Sequence, residues 1–334
     1  MKTNILLAIE SSCDDTSAAI IIDGAVKSNI IATQNVHKDY GGVIPEAASR
    51  NHEINIIPVV SKAIKEAGIS KKDIQAVGVT RGPGLLGSLI VGLSFAKGFA
   101  LANDIPLIEV HHMQAHILAH FAEKPYPPFP FLCLTVSGGH TQIVLVKDYH
   151  EMEILGQTLD DAAGEAFDKS GKMMGLEYPA GPIIDKLASK GEPIYQFGVP
   201  KIANLDFSFS GFKTSIRYFL RDQIKKDPQF IKKEIENICC SIQTSIVNIL
   251  TAKIIQAVTE TGISEIAIAG GVSANSFLRS ELKRCGTEYG WNTYIPKFEY
   301  CTDNAAMIGI SAYYKLLAKD FANQEITPEA RLQF

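Results

Sequence analysis

The same succession of apolar runs and polar loops occurs twice along this chain, and a duplication limits the possible folds more than any composition does. Residues 5–10, 16–22 and 25–32 read as strands, 45–67 as a long helix, 74–80 as a strand, 86–102 as a helix, 106–110 as a strand and 111–121 as a helix. The second half opens alike, with strands at 131–136, 141–147 and near 151–157. After further helices come a strand at 264–269, a helix at 274–285, a strand at 292–295 and a helix at 303–318. Extra helical sequence at roughly 160–225 has no counterpart in the first copy. So long a period excludes a solenoid and predicts two duplicated α/β lobes. We place lobe one at 1–128 and lobe two at 129–334, leaving open whether the last helix packs back on lobe one.

The loops say what such lobes are for. "FLCLTVSGGHTQIVLV" at 131–146 is an apolar hairpin interrupted by Ser137, Gly138, Gly139 and His140. Glycine there serves either a turn with positive φ or a backbone left bare for an anion. "AVGVTRGPGLLGSLIVGLSFAKG" (76–98) and "EIAIAGGVSANSFLRSEL" (265–282) each run from a buried strand through a glycine loop into a helix, whose first N–H groups attract anions. Two lobes presenting such loops predict a nucleotide site in a cleft between them. The pattern resembles the actin, sugar-kinase and heat-shock-chaperone superfamily, with its two ribonuclease-H-like lobes.

A second constellation concerns a metal. In "VHHMQAHILAH" (110–120), His112 and His116 are four apart, which puts both rings on one helix face. The spacing suits a metal and also an ordinary helix surface. A zinc protease would need Glu directly after the first histidine, and Met113 stands there. The repeat pairs this helix with one beginning "YCTDNAAMIGIS", so Asp303 is expected to face the histidines from the opposite lobe. Two imidazoles and one carboxylate with open positions suit Fe(II) or Zn(II).

Charge and cysteine usage narrow the class. A net charge of −4 argues against an extensive nucleic-acid surface, leaving local clusters such as Lys62, Lys65, Lys71 and Lys72, or Lys225, Lys226, Lys232 and Lys233. The six cysteines form no CxxC pair, as expected of reduced thiols in the cytoplasm. The apolar run at the start is short and followed by polar and acidic residues, predicting a first strand rather than a signal peptide. No uninterrupted apolar run approaches membrane-spanning length.

Taken as a set, "IESSCDDTS" (9–17), "GGVIPEAASRNH" (41–52), "RGPGLLGSL" (81–89), "VHHMQAH" (110–116), "TVSGGHTQ" (135–142), "DDAAGEAFDK" (160–169), "YPAGPIID" (178–185), "FSFSGFKT" (207–214), "AGGVSAN" (269–275) and "CTDNAAMI" (301–308) resemble, in order, the tRNA N6-adenosine threonylcarbamoyltransferase family (TsaD type), once called glycoproteases. The resemblance implies transfer of threonylcarbamoyl from threonylcarbamoyl-AMP to the adenosine beside the anticodon in tRNAs reading codons that begin with A. It implies metal ligands His112, His116 and Asp303, with iron the usual assignment and zinc the rival. It further implies adenylate contacts from Thr135, Val136, Ser137, Gly138, Gly139, Asp168, Gly181, Asp185 and Asn275. Relatives often carry Leu where Thr135 stands. Its partners would be tRNA, a paralogous metal-free subunit (TsaB type) and a small ATPase (TsaE type). Glu10, at the tip of the first strand, is the residue we nominate to accept the amine proton, with the departing phosphate as the alternative. The competing reading is an ATP-dependent phosphotransferase of the same superfamily, which would use carboxylates and Mg²⁺ in place of paired histidines.

Overall fold

The computed structural model describes residues 3–200 and 202–334, side chains of 38 and 39 excepted. In chain order the elements are β1 (Ile5–Glu10), β2 (Asp15–Ile22), β3 (Ala25–Thr33), α1 (Pro45–Glu66), β4 (Ala76–Gly82), α2 (Leu86–Asn103), β5 (Leu107–His111) and α3 (His112–Leu118). There follow β6 (Phe131–Val136), β7 (Thr141–Val146), β8 (Met152–Gln157), α4 (Ala163–Met173), α5 (Ala180–Ala188), α6 (Ser210–Lys226), α7 (Phe230–Thr261), β9 (Glu265–Ala269), α8 (Ser276–Tyr289), β10 (Asn292–Tyr294) and α9 (Ala305–Ala318). They form two compact units, Met1–Tyr126 with Pro296–Phe334, and Pro127–Ile295.

The first unit is built on a sheet of order β3-β2-β1-β4-β5. Its first three strands pair antiparallel, and β1, β4 and β5 run parallel. Helices cover both faces, so the strands read as nearly continuous apolar runs. The pleat sorts them: Leu7, Ile9, Val77 and Val79 join Ile56, Val59 and Val60 of α1 and Leu93 and Ala96 of α2. Their neighbours Leu6, Ala8, Ala76 and Val110 join Ala115 of α3 and Ala305, Ile308 and Ala312 of α9. A Cβ on Gly309 would lie 2.4 Å from Ile21, so α9 can approach the sheet this closely only with glycine there. This packing assigns the last helix, distant in sequence, to the first unit.

The second unit repeats the plan, with sheet order β10-β9-β6-β7-β8 and the same split between antiparallel and parallel pairs. Its core gathers Leu132, Leu134, Phe207, Phe209, Phe212, Ile242, Ile246 and Ile268. The 32-residue α7 takes the place between third and fourth strands that α1 holds in the first unit, and α4 to α6 are the added helices. The whole is α/β, with the doubled ribonuclease-H-like plan of the actin-like ATPase fold. Although no apolar run is uninterrupted, α2 and α7 are long and apolar enough to cross a membrane by length and composition. Of the most apolar 18-residue stretch of α7, 56% is buried within the structure, against 33% for α2.

Candidate metal centre and nucleotide loops

In the first unit, the carboxyl ends of the three parallel strands supply the chemistry. Strand β5 ends at His111 and α3 starts at His112. His111 serves the helix: its Nδ1 accepts from the backbone N–H groups of Met113 (3.2 Å) and Gln114 (3.4 Å), and its Nε2 donates to the carbonyl of Leu332 (3.3 Å). His112 and His116, one turn apart and both buried, stand edge to face with ring centroids 4.8 Å apart. Asp303 directly precedes Asn304, whose side chain caps α9 by accepting from the Met307 N–H (3.0 Å). The helix start is further tied to the sheet by the Ala305 N–H donating to Ser17 Oγ (2.8 Å).

These restraints bring Asp303 Oδ1 to 3.4 Å from His112 Nε2 and 3.1 Å from His116 Nε2. The three ligand atoms all lie within 4.8 Å of one another. The sequence expectation placed the carboxylate on the opposite lobe. Instead all three side chains belong to one unit, because α9 packs on the first sheet.

Glu10 ends β1 beneath this group and is fully buried. It accepts from the Ser12 N–H (2.5 Å), from Thr80 Oγ1 (2.6 Å) and from His112 Nδ1 (3.1 Å). Ser12 Oγ also lies 3.2 Å from His112 Nδ1. With Nδ1 engaged on the protein side, His112 turns Nε2 toward Asp303 and His116. A carboxylate behind the far nitrogen of a histidine is the usual support of a metal-ligating imidazole. Among the described residues no comparable partner holds His116, whose Nδ1 is buried without a hydrogen bond.

The electrostatics ask for a cation. Burial opposes charge on His112, but Asp303 and Glu10 on either side outweigh it and raise its pKa well above the ordinary value. Burial likewise opposes charge on Asp303, yet His112 and then His116 hold its carboxyl far below the usual range. Glu10 is lowered too, His112 overcoming its burial. Two carboxylates that draw positive charge onto the imidazole between them mark a place where a divalent metal would supply that charge in the proton's stead, with His112 then bound in its neutral form. The Asp303 side chain remains 25% exposed, which leaves an open side.

The adenylate residues expected from the sequence all fall in the second unit. Thr135 and Val136 end β6, and residues 137–140 form the turn into β7, with the Ser137 N–H donating to the His140 carbonyl (2.8 Å). Neither Gly138 nor Gly139 has a positive φ, so the turn itself does not require glycine. A Cβ on either would meet nothing within 4 Å, which leaves their backbone open to a ligand. The amino end of α4 docks under this tip: the Gly164 N–H donates to the Ser137 carbonyl (3.2 Å), and a Cβ there would lie 2.5 Å from that oxygen.

Asp168, on α4, accepts from the Ala180 N–H (2.8 Å) at the start of α5, beside Gly181. Burial raises its pKa, against hydrogen bonds from Ala180 and Gly181. Asp185, on α5, accepts from Ser276 N–H (3.1 Å) and Ser276 Oγ (2.7 Å). Asn275 caps α8 by accepting from the Leu278 N–H (2.9 Å) and donates to Gln243 Oε1 (2.7 Å). These bonds join α4 to α5 and α5 to α8, so Asp168, Gly181, Asp185 and Asn275 are brought together. The sequence reading missed Ser12, two residues beyond Glu10 in the loop after β1, and Thr80, near the end of the neighbouring strand β4.

A family model described as "TsaD: tRNA N6-adenosine threonylcarbamoyltransferase" matches residues 25–310. A tRNA N6-adenosine threonylcarbamoyltransferase of Christiangramia forsetii is 57% identical, the match covering 100% of this chain and 99% of that protein. Its namesake in Riemerella anatipestifer is 58% identical over 100% and 99%. Among solved structures, HypF of T. kodakarensis aligns with a TM-score of 0.63 at 12% identity, over 98% of this chain and 49% of that one, which shows a shared fold.

Proposed function

We propose how the residues divide the work from one premise: the chain belongs to the tRNA N6-adenosine threonylcarbamoyltransferase family. The enzyme moves a threonylcarbamoyl group from threonylcarbamoyl-AMP to N6 of the adenosine next to the anticodon, in tRNAs reading codons that begin with A. The amine attacks the carbamoyl carbon, the bond from that carbon to the phosphate oxygen breaks, AMP departs and N6 loses a proton. The donor is already an activated anhydride, so orientation and charge stabilisation suffice and no covalent nucleophile is required.

The reading rests on His112 Nε2 and His116 Nε2 converging on Asp303 Oδ1. We assign the metal to these three, and Fe(II) ahead of Zn(II), because two histidines and one carboxylate with free positions are the usual ferrous set. A bound divalent metal supplies Lewis acidity toward a carbonyl or phosphoryl oxygen. Glu10 fits positioning better than proton transfer: it is fully buried and already accepts three hydrogen bonds. The proton is then left to the departing phosphate. In the second unit, the bare backbone at 138–139 suits the phosphate, and we assign the ribose hydroxyls to Asp168 and Asp185, as acidic groups serve in other nucleotide sites.

The half-exposed apolar helix α2 supports a protein partner, and with α1 it presents Ile54, Ile57, Leu86 and Ile90 to solvent. We assign this face to a paralogous subunit, with a small ATPase completing the assembly, and place the reaction in the cytoplasm with its tRNA. The test is a nucleoside assay with threonylcarbamoyl-AMP, tRNA and partner subunits. His112→Ala and Asp303→Ala should lose bound metal and threonylcarbamoyladenosine together. Full product formation by either variant would overturn the assignment.

A further inference from the structure

A trough of about 400 Å³ lies between α4 and α6 of the second unit, lined by Lys169, Lys172, Met173, Lys213, Arg217 and Tyr218. It continues past Met173 and Arg217 along α6 to Arg221 and Lys225. The helix α6 explains its shape. Phe212, Ile216 and Leu220 recur every fourth residue and are buried in the core. One position further on, Lys213, Arg217, Arg221 and Lys225 form a parallel row of cations, about 6 Å of rise apart.

Charge there is not a by-product of composition. The chain carries −4 overall, whereas α6 has five cations (Lys213, Arg217, Arg221, Lys225, Lys226) against one carboxylate, Asp222. Some of that charge is held internally, since Lys169 and Lys213 both reach Asp161, at 2.6 and 2.7 Å. Lys172, Arg217 and Lys225 form no ion pair among the described residues. An aromatic surface accompanies them: Tyr218 is 53% exposed, with the Arg221 guanidinium 4.8 Å from its ring centroid. Arg221 is itself paired with Asp222 (2.8 Å), so the unpaired cations are Lys172, Arg217 and Lys225, and such cations beside an exposed ring are the elements with which proteins hold an RNA backbone and stack a base or ribose.

We propose that the α4–α6 trough is a docking surface for the sugar–phosphate backbone of the tRNA acceptor, separate from the residues that handle the reacting groups. The proposal rests on the tRNA-modifying reading above. The phosphate contacts position the RNA without reading its sequence, as such contacts do. An acidic polypeptide is the competing occupant, and the exposed ring favours RNA.

The test measures binding of unmodified tRNA to the full-length enzyme with its partner subunits, as a function of salt, for wild type and for Lys172→Ala/Arg217→Ala. Losing two phosphate contacts should lower the slope of log K against log salt by roughly two and weaken binding on the order of tenfold at moderate salt. KM for tRNA should rise accordingly, with KM for threonylcarbamoyl-AMP, metal content and thermal midpoint unchanged. A variant that modifies tRNA with wild-type affinity and salt slope overturns the trough alone. Loss of polyglutamate binding with tRNA binding intact makes it a peptide site and likewise overturns it. A wild-type complex that neither binds nor modifies tRNA overturns both the trough and the reading it rests on.

Discussion

Glu10 sets the orientation of His112, one of the three residues proposed to hold metal, through a single hydrogen bond, and that bond can be removed with little change of volume. In Glu10→Gln the amide keeps contact with Thr80 and Ser12 in part, but the negative charge behind His112 Nδ1 is gone. Loss of such a support costs roughly 10–100-fold in metal affinity. Competition titration with a chelator on the purified protein should show this fall, and an unchanged affinity would remove Glu10 from the site. His116, whose Nδ1 has no hydrogen bond among the described residues, is held by packing and by its Nε2 contact with Asp303 Oδ1 (3.1 Å). At this scale the sequence was partly legible. The four-residue spacing disclosed both histidines, whereas the role of Thr80 depends on the parallel register of β1 with β4, which no local motif encodes.

The caps of the helices carry the next set of consequences. Asn304 holds the start of α9 beside Asp303, so Asn304→Ala should cost about 1 kcal/mol of stability and loosen metal as well. Calorimetry paired with metal analysis separates the two effects. At α4, Gly164→Val would press a side chain against the Ser137 carbonyl, displacing either the tip or the helix. KM for threonylcarbamoyl-AMP should rise at least about tenfold if that tip holds the phosphate.

Asp160 shows the pH dependence of such a joint. It accepts from Ser208 Oγ (2.5 Å) and from the N–H groups of Phe209 (2.8 Å) and Ser210 (3.2 Å) at the start of α6. Burial opposes the charge, but these bonds prevail and lower its pKa; for Asp161, Lys169 and Lys213 do the same. Both carboxyls are therefore below their unfolded value of 3.8 in the folded protein. Their stabilisation is complete above that value and fades as pH falls through the lower folded values. The difference in thermal midpoint between wild type and Asp160→Asn should thus shrink between pH 5 and pH 3. A difference constant over that range would exclude the linkage.

For the molecule as a whole, repeated order in the chain disclosed two sheets of the same plan, because buried parallel strands leave long apolar runs wherever they occur. It did not disclose that the final helix returns to the first sheet, since that depends on small residues such as Gly309 meeting Ile21 across almost the full chain length. Nor could it disclose the α4–α6 trough, whose cations come from helices separated by other elements. The same physics leaves α2 incomplete. Only a third of its residues are buried, and Ile57 and Ile90 reach solvent at 63% and 46% exposure on adjacent helices. Covering such side chains contributes roughly 1.5–3 kcal/mol apiece when burial is full. Ile57→Asp/Ile90→Asp should therefore abolish co-purification with the paralogous subunit and product formation in the reconstituted assay. Metal content and thermal midpoint of the isolated chain should stay unchanged, because neither residue belongs to the core. If the double variant still assembles and modifies tRNA, the partner sits elsewhere and the exposed face of α2 has no part in catalysis.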